Sequence, residues 1–352
     1  MTEKDDNLGR WEQRWHPLRR EWVVYAAHRN FRPWGGSSVA APDEAPAYDP
    51  DCYLCPGNSR VHGARNPHYE DVFVFDNDHP VVGQNAPAIP RDLSEPAKGL
   101  YRREKAEGIS RVICYDPRHN VTLAQIPLER VAKVFSAWQD ETRQLAGIEG
   151  IRYALIFENR GEIVGVSNPH PHCQLYATSF VFSLIEREIE AAAWHRSERG
   201  TNLFEEIIRA ERSDAVRVIA ENEAAIAFVP FFARYAYEVM VFPKSRHPTL
   251  TTLSEEEMFS LADVFQQVIR RYDLLFGFVF PYVMAIHQAP LDPGDYSDYH
   301  LHLLFQPPLR QPGLQKFLAG PEIGGGNFMA DTMPEEKARE LQQVDISTWK
   351  PL

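Results

Sequence analysis

Along this 352-residue chain the spacing of apolar side chains switches between period two and period 3.6, and it does so in the same order twice. In the first pass, DVFVFDNDHPVV (71–82) predicts a strand followed by a turn, and SRVICYDPRHNVTL (110–123) a strand running into a loop. PLERVAKVFSAWQDETRQL (127–145) predicts a helix, because Leu128, Val131, Val134, Phe135 and Trp138 recur on one helical face. IRYALIFENRG (151–161) and NPHPHCQLYA (168–177) predict two further strands.

The second pass repeats this. AIAFVPFF (225–232) reads as a strand, and YEVMVFPKSRHPTL (237–250) as a strand entering a loop with Arg-His again at its end. SEEEMFSLADVFQQVIRRYD (254–273) is a helix that opens on a capping box, Ser254 with Glu257. Its apolar stripe is Leu261, Phe265, Val268 and Tyr272. FVFPYVMAIHQAP (278–290) and YHLHLLFQPP (299–308) follow as strands. His119 precedes His170 by 51 residues, and His247 precedes His300 by 53. The expected fold is therefore α+β, a duplicated unit with mostly antiparallel sheet and flanking helices. The halves are expected at 1–180 and 181–352, as one intertwined unit. Chance alignment of amphipathic segments would give the same impression, so the structure must decide.

Composition narrows the function classes. A chain of this length that is 44% hydrophobic can bury a large core. Lys plus Arg total 37 against 49 Asp plus Glu, a formal charge of −12, which repels a phosphate polyanion and argues against nucleic-acid binding. A small nucleotide can still be held by a few local cations. No apolar run is long enough to span a bilayer, and the polar start MTEKDDNLGR predicts no signal peptide. Four cysteines, Cys52, Cys55, Cys114 and Cys173, are too few for a disulfide scaffold; reduced thiols and a cytoplasmic setting are expected. In that setting the C-x-x-C pair Cys52/Cys55 is a metal-ligand or redox candidate, and Cys114, in the apolar run RVICY, a core residue.

The densest chemistry lies in SNPHPHCQ (167–174). If His170 and His172 share a strand, both imidazoles face one side, because side chains alternate. Two partly exposed histidines on a strand edge would show the same spacing. The prolines around the pair, the polar Ser167, Asn168 and Gln174, and the preceding Glu158-Asn159-Arg160-Gly161 loop favour a phosphate site. Cys173 would face the opposite side and pack.

SNPHPHCQ with the upstream FEN-x-G resembles the galactose-1-phosphate uridylyltransferase family, a branch of the histidine-triad superfamily. HRNFRPWGG, DCYLCPGNSR, NPHYEDVFVFDND, IHQAP, HLHLLFQPPLR and QKFLAG extend that resemblance, in order, over nearly the whole chain. It implies that each half is a histidine-triad-like unit and that His172 is a nucleophile attacking the α-phosphorus of a UDP-sugar. The leaving sugar phosphate has a second pKa of about 6 and needs no strong general acid. Gln174 stands where histidine-triad hydrolases carry a third histidine. An amide can hydrogen-bond phosphoryl oxygens but cannot move a proton, which favours transfer over hydrolysis. Ser167 and Asn159 are implied to bind phosphates, and Arg29 and Arg32 to reach the phosphates of a neighbouring subunit, hence a homodimer. Asn77 and Asp78 are implied on the uridine and ribose side, and Lys316, Phe317, Gly320 and Glu322 on the hexose.

The resemblance also implies metals. Cys52, Cys55, His119 and His170 are implied as a structural zinc site, a donor set suited to tetrahedral Zn²⁺. A second site, holding iron or zinc, is implied to use Glu188, His287 and a histidine pair. Aligned on the internal repeat that pair is His300 and His302, the expectation adopted here. Aligned on Pro307-Pro308 it is His302 with Leu304.

The expected activity is transfer of UMP between UDP-glucose and galactose 1-phosphate, in two displacements through a uridylyl-histidine. Gly320-Pro321-Glu322 departs from the GYE of many relatives, and the following IGGGNFMADTMPEE resembles a branch with ADP-glucose phosphorylases. An ADP-sugar phosphorylase is therefore the enzymatic alternative. A zinc-stabilised nucleotide-binding protein without turnover is the alternative from another class.

Overall fold

The computed structural model describes residues 10–28, 45–89, 100–166, 168–311 and 313–350. Its first elements are strands β1 (Trp11–His16), β2 (Glu21–Ala26), β3 (Phe73–Asp76) and β4 (Gly108–Cys114), then helix α1 (Leu128–Ala146), β5 (Tyr153–Arg160) and β6 (His172–Thr178). Helices α2 (Ser183–Arg199) and α3 (Leu203–Asp214) lead to β7 (Val218–Glu221), β8 (Ala225–Phe228) and β9 (Val239–Pro243). After these come α4 (Glu255–Phe276), β10 (Tyr282–His287) and β11 (His302–Gln306), the short β12 (Leu309–Gln311), β13 (Leu314–Gln315) and β14 (Met329–Ala330), and α5 (Pro334–Gln342).

Nine strands form one sheet in the order β3-β4-β6-β5-β10-β11-β9-β8-β7, with antiparallel neighbours throughout. The first four and the next four are mirror images about the β5–β10 seam, so the duplication is real. Each copy runs strand, strand, helix, strand, strand. Its last strand sits between the second and third.

The two central helices cover one face. The stripe on α1 (Val131, Val134, Phe135, Trp138) and the stripe on α4 (Leu261, Phe265, Val268, Tyr272) are buried as the spacing predicts. They pack on one another, with Phe135 and Phe265 edge to face at 5.3 Å. Burying each such aromatic contributes roughly 2–3 kcal/mol. Both hydrogen bonds of the Ser254–Glu257 capping box form at the start of α4. Cys173, Leu175 and Ala177 of β6 point into this core, and Trp138 Nε1 donates to Cys173 Sγ at 3.2 Å, so Cys173 packs.

The opposite face differs between the halves. Over β8, β9 and β11 it is covered by α2 and α3, through a second core that includes Phe204, Ile207, Phe228 and Phe242. Over β5 and β6 it is open, and Phe157, Asn159, His172, Gln174 and Tyr176 are half-buried there. The hairpin β1–β2 joins β14 in a separate three-stranded sheet.

Candidate active site and metal centres

Strand β6 begins at His172, not at Asn168 as its apolar pattern suggests. Pro169 and Pro171 have no N–H to offer a ladder, and the Asn168 side-chain oxygen accepts the His170 N–H at 2.9 Å, closing a turn. The alternation rule therefore does not apply to His170. It turns towards Cys52 and Cys55, while His172 faces the open side.

His172 Nδ1 lies 2.7 Å from the His170 carbonyl oxygen. A carbonyl can only accept, so Nδ1 carries the hydrogen and the Nε2 lone pair is free. Burial, opposed by that hydrogen bond, lowers the His172 pKa and keeps the ring neutral. His172 lines a cavity of about 180 Å³ with Asn159, Gly161 and His170. On its other side a small recess holds Gln174 and Asn159. Asn77 Nδ2 reaches Gln174 Oε1 at 3.4 Å, and the Tyr176 hydroxyl reaches the same oxygen at 3.0 Å. Tyr176 was not among the expected residues; period-two counting from His172 through Gln174 would have found it. A larger cavity of about 470 Å³ lies beyond the end of β3 and is lined by Asn77, but neither His172 nor Gln174 lines it. Asp78 is half-buried, with its carboxylate 3.8 Å from Arg60.

Other expected residues fall elsewhere. Lys316 pairs with Glu322 at 2.7 Å and also donates to the Met329 carbonyl. None of Lys316, Phe317, Gly320 and Glu322 lines the cavity beside His172. Arg29, Arg32 and Ser167 lie outside the described residues.

Four buried side chains, Cys52, Cys55, His119 and His170, bring one ligand atom each to within 4.8 Å of one another. The cysteine turn is held by Asn58 Nδ2 on the Cys52 carbonyl and Asn66 Nδ2 on the Cys55 carbonyl. Gly57 follows at φ +76°, where a Cβ would strike the His68 ring. The loop carrying His119 is fixed by the buried Asp116 carboxylate, which accepts from Arg118 and Arg130. His170 Nε2 donates to the Asp116 carbonyl at 3.1 Å, which leaves its Nδ1 lone pair 3.6 Å from Cys55 Sγ. Burial, with Cys52 alongside, pushes the Cys55 thiol up to about 11. Burial, with His119 and His172 nearby, pushes His170 down to about 3. Two thiols and two imidazoles crowded without a counter-charge behave in this way; a divalent cation would pull the thiols back down to thiolates and hold the imidazoles neutral as ligands. The donor set fits a metal.

A second buried group contains Glu188, from α2, with His287 and His302. His287 Nδ1 lies 3.0 and 3.1 Å from the two Glu188 oxygens, and Tyr299 donates to Glu188 at 2.6 Å. His302 Nδ1 donates to the His300 carbonyl at 3.0 Å, which aims its Nε2 at Glu188, 3.8 Å away and without a hydrogen-bond partner. Burial pushes the Glu188 carboxyl up, but His287 and His302 outweigh it and hold it well below the usual range. An orphaned imidazole nitrogen facing a buried carboxylate fits a cation.

The expectation that His300 joins this group is corrected. The ladder of β11 starts at His302, so His300 precedes it. Its Nδ1 is spent on the His247 carbonyl at 3.3 Å, and its ring lies among Phe204 and Phe242. The alignment on Pro307-Pro308 matches the geometry better: His302 joins Glu188 and His287 in the buried group, and Leu304 follows on the same face of β11.

The chain matches two family descriptions: galactose-1-phosphate uridyl transferase, N-terminal domain, over residues 1–181, and the C-terminal domain of the same enzyme over residues 188–350. It is 36% identical to a galactose-1-phosphate uridylyltransferase of Haemophilus influenzae, over 96% of this chain and 95% of that one. It is 35% identical to the enzyme of that name from Saccharomyces cerevisiae, over 95% and 94% of the two chains. A solved uridylyltransferase structure superposes with a TM-score of 0.76 at 30% identity, covering 94% of this chain and 97% of the other. An ADP-glucose phosphorylase from Arabidopsis thaliana superposes with a TM-score of 0.75 but 22% identity, over 96% and 100%, a similarity of fold alone. With both halves matched and identity above one third over nearly all its length, the chain belongs to the galactose-1-phosphate uridylyltransferase family.

Proposed function

We propose that this chain transfers UMP between UDP-glucose and galactose 1-phosphate through a uridylyl group carried on His172. The observation that carries the residue assignment is the His172 Nδ1–His170 carbonyl hydrogen bond, which leaves a neutral Nε2 facing the cavity. In the first displacement Nε2 attacks the α-phosphorus. The P–O bond to glucose 1-phosphate breaks, and the leaving oxygen keeps the electron pair. In the second, a phosphate oxygen of galactose 1-phosphate attacks the same phosphorus, and the P–N electron pair returns to Nε2. Neither step needs a proton from the enzyme, consistent with an amide, Gln174, beside the nucleophile.

Asn159 and Ser167 would bind phosphate oxygens, and Arg29 and Arg32 would supply cationic contacts in a homodimer. Asn77 and Asp78 would meet the uridine and ribose, and Lys316, Phe317, Gly320 and Glu322 the hexose. Zinc is the proposed ion at Cys52, Cys55, His119 and His170, where it would fix the segment that presents His172. Iron or zinc at Glu188, His287 and His302 would act structurally. We place the enzyme in the cytoplasm; no helix among the described residues is long and apolar enough to cross a membrane.

The test is labelling with UDP-glucose carrying its label at the α-phosphate. Acid-labile, base-stable label on wild type, absent from His172→Gly, is expected. Unlabelled wild-type protein would overturn the assignment. Exchange of glucose 1-phosphate into ADP-glucose, and none into UDP-glucose, would favour the ADP-sugar alternative.

A further inference from the structure

We infer that the Tyr176 hydroxyl is a positioning group for nucleotidyl transfer, acting through the Gln174 amide. The inference rests on the reading of His172 as nucleophile. The two ends of an amide look alike, so its orientation must come from neighbours whose roles are unambiguous. The first such neighbour is the His79 backbone N–H, which can only donate and lies 2.9 Å from Asn77 Oδ1. That fixes Asn77 with its Nδ2 outward, and Nδ2 reaches the Gln174 side chain at 3.4 Å. An NH₂ group donates, so the Gln174 atom it meets is the oxygen. The Tyr176 hydroxyl lies 3.0 Å from that same oxygen and donates to it. Burial raises the Tyr176 pKa, so the phenol keeps its hydrogen.

Two donors on one end of the amide leave the other end, Nε2, without a hydrogen-bond partner among the described side chains. Gln174 shares its recess with Asn159 and His172, so this NH₂ is the group available to a phosphoryl oxygen on His172 Nε2. Of the two anchors, Asn77 belongs to a loop after β3 and makes the longer contact. Tyr176 stands on the same strand as Gln174 and His172, two residues further on, with its ring held edge to face on Phe157 at 4.9 Å. It is the rigid anchor. Losing it would free the amide to rotate and present its oxygen to an anion.

The experiment is single-turnover uridylylation of His172 by UDP-glucose in wild type, Tyr176→Phe, Gln174→Ala and the double variant. Tyr176→Phe keeps the ring and its packing. It is expected to slow uridylyl transfer by about fivefold, the size of one lost neutral hydrogen bond, with KM nearly unchanged. In the Gln174→Ala background the same change is expected to cost nothing further. A wild-type rate in Tyr176→Phe, or an equal loss in both backgrounds, would overturn the inference. Wild-type protein that takes no label at all would instead overturn the nucleophile reading, and that failure shows before any variant is compared.

Discussion

The two halves place the same element in the same frame and use it oppositely. In each, a histidine opens the last strand and its Nδ1 donates to the carbonyl two residues back, His172 to His170 and His302 to His300. Both therefore present a bare Nε2. Around His172 the neighbouring positions carry Cys114, its β4 partner, and Gln174, with Asn159 on β5. Around His302 they carry Phe242, stacked on the ring at 5.0 Å, Leu304 and His287. The first imidazole faces a cavity. The second lies beneath α2 and α3, and α2 lowers Glu188 onto it. A free imidazole nitrogen is thus open to a substrate or closed against a carboxylate according to what covers it, and the strand itself does not choose.

Exchanging the loss between the halves gives the largest contrast. His172→Asn is expected to reduce sugar exchange by at least about 10⁴-fold with the melting temperature unchanged. His302→Asn is expected to lower the melting temperature and the second metal's content while the folded fraction keeps its turnover. Similar effects from both would erase the distinction, as read by exchange kinetics and thermal melting. Next, Cys55→Ser should remove one equivalent of metal and lower Tm on the order of 10 °C, because metal binding at such a site is folding free energy. Full metal content in the variant would exclude Cys55 as a ligand.

A third effect belongs to the seam. Arg160, at the end of β5, pairs with Asp273 of α4 at 2.7 Å, and Glu158 lies buried beside them with Tyr282 donating to it. Burial pushes the Glu158 carboxyl up to about 7. A carboxyl raised above its unfolded value binds its proton more tightly when folded. Its contribution is therefore full below about pH 4.5 and lost as pH rises through 7. Glu158→Gln should flatten the fall in stability between pH 5 and 8, measured by denaturant melts; an unchanged slope would assign the pH dependence elsewhere. The smallest expected change is in partitioning. Gln174→His should raise hydrolysis of the uridylyl intermediate severalfold by restoring a proton carrier. An unaltered hydrolysis rate would remove the argument that the amide protects the intermediate.

Much of this was legible before the structure. The stripes on α1 and α4 and the Ser254–Glu257 box follow helical spacing, and they formed as spaced. The repeat of strand, helix and strand became the mirror order of the sheet. What stayed hidden has physical reasons. Helix α2 buries Ile185, Glu188, Ala191, Ala192 and His195, so polar residues interrupt its inward stripe and blur the periodicity. His300 looked like a partner of His302 because the internal repeat sets it opposite His170, but it lies before the ladder begins and its Nδ1 meets the His247 carbonyl instead. Period two puts Tyr176 on the face of His172 and Gln174, but only the third dimension shows its hydroxyl meeting the Gln174 oxygen.

The seam between β5 and β10 has a consequence for how such a protein can exist at all. Five antiparallel register pairs, from Tyr282 with Arg160 to Ile286 with Ile156, join the halves through the middle of the sheet. A chain cut there would leave each fragment with a raw strand edge flanked by core, inviting pairing with any other such edge. A gene for half of this protein would be expected to yield aggregates, so the ancestor of the duplicated unit must have had a second copy of itself to lie against.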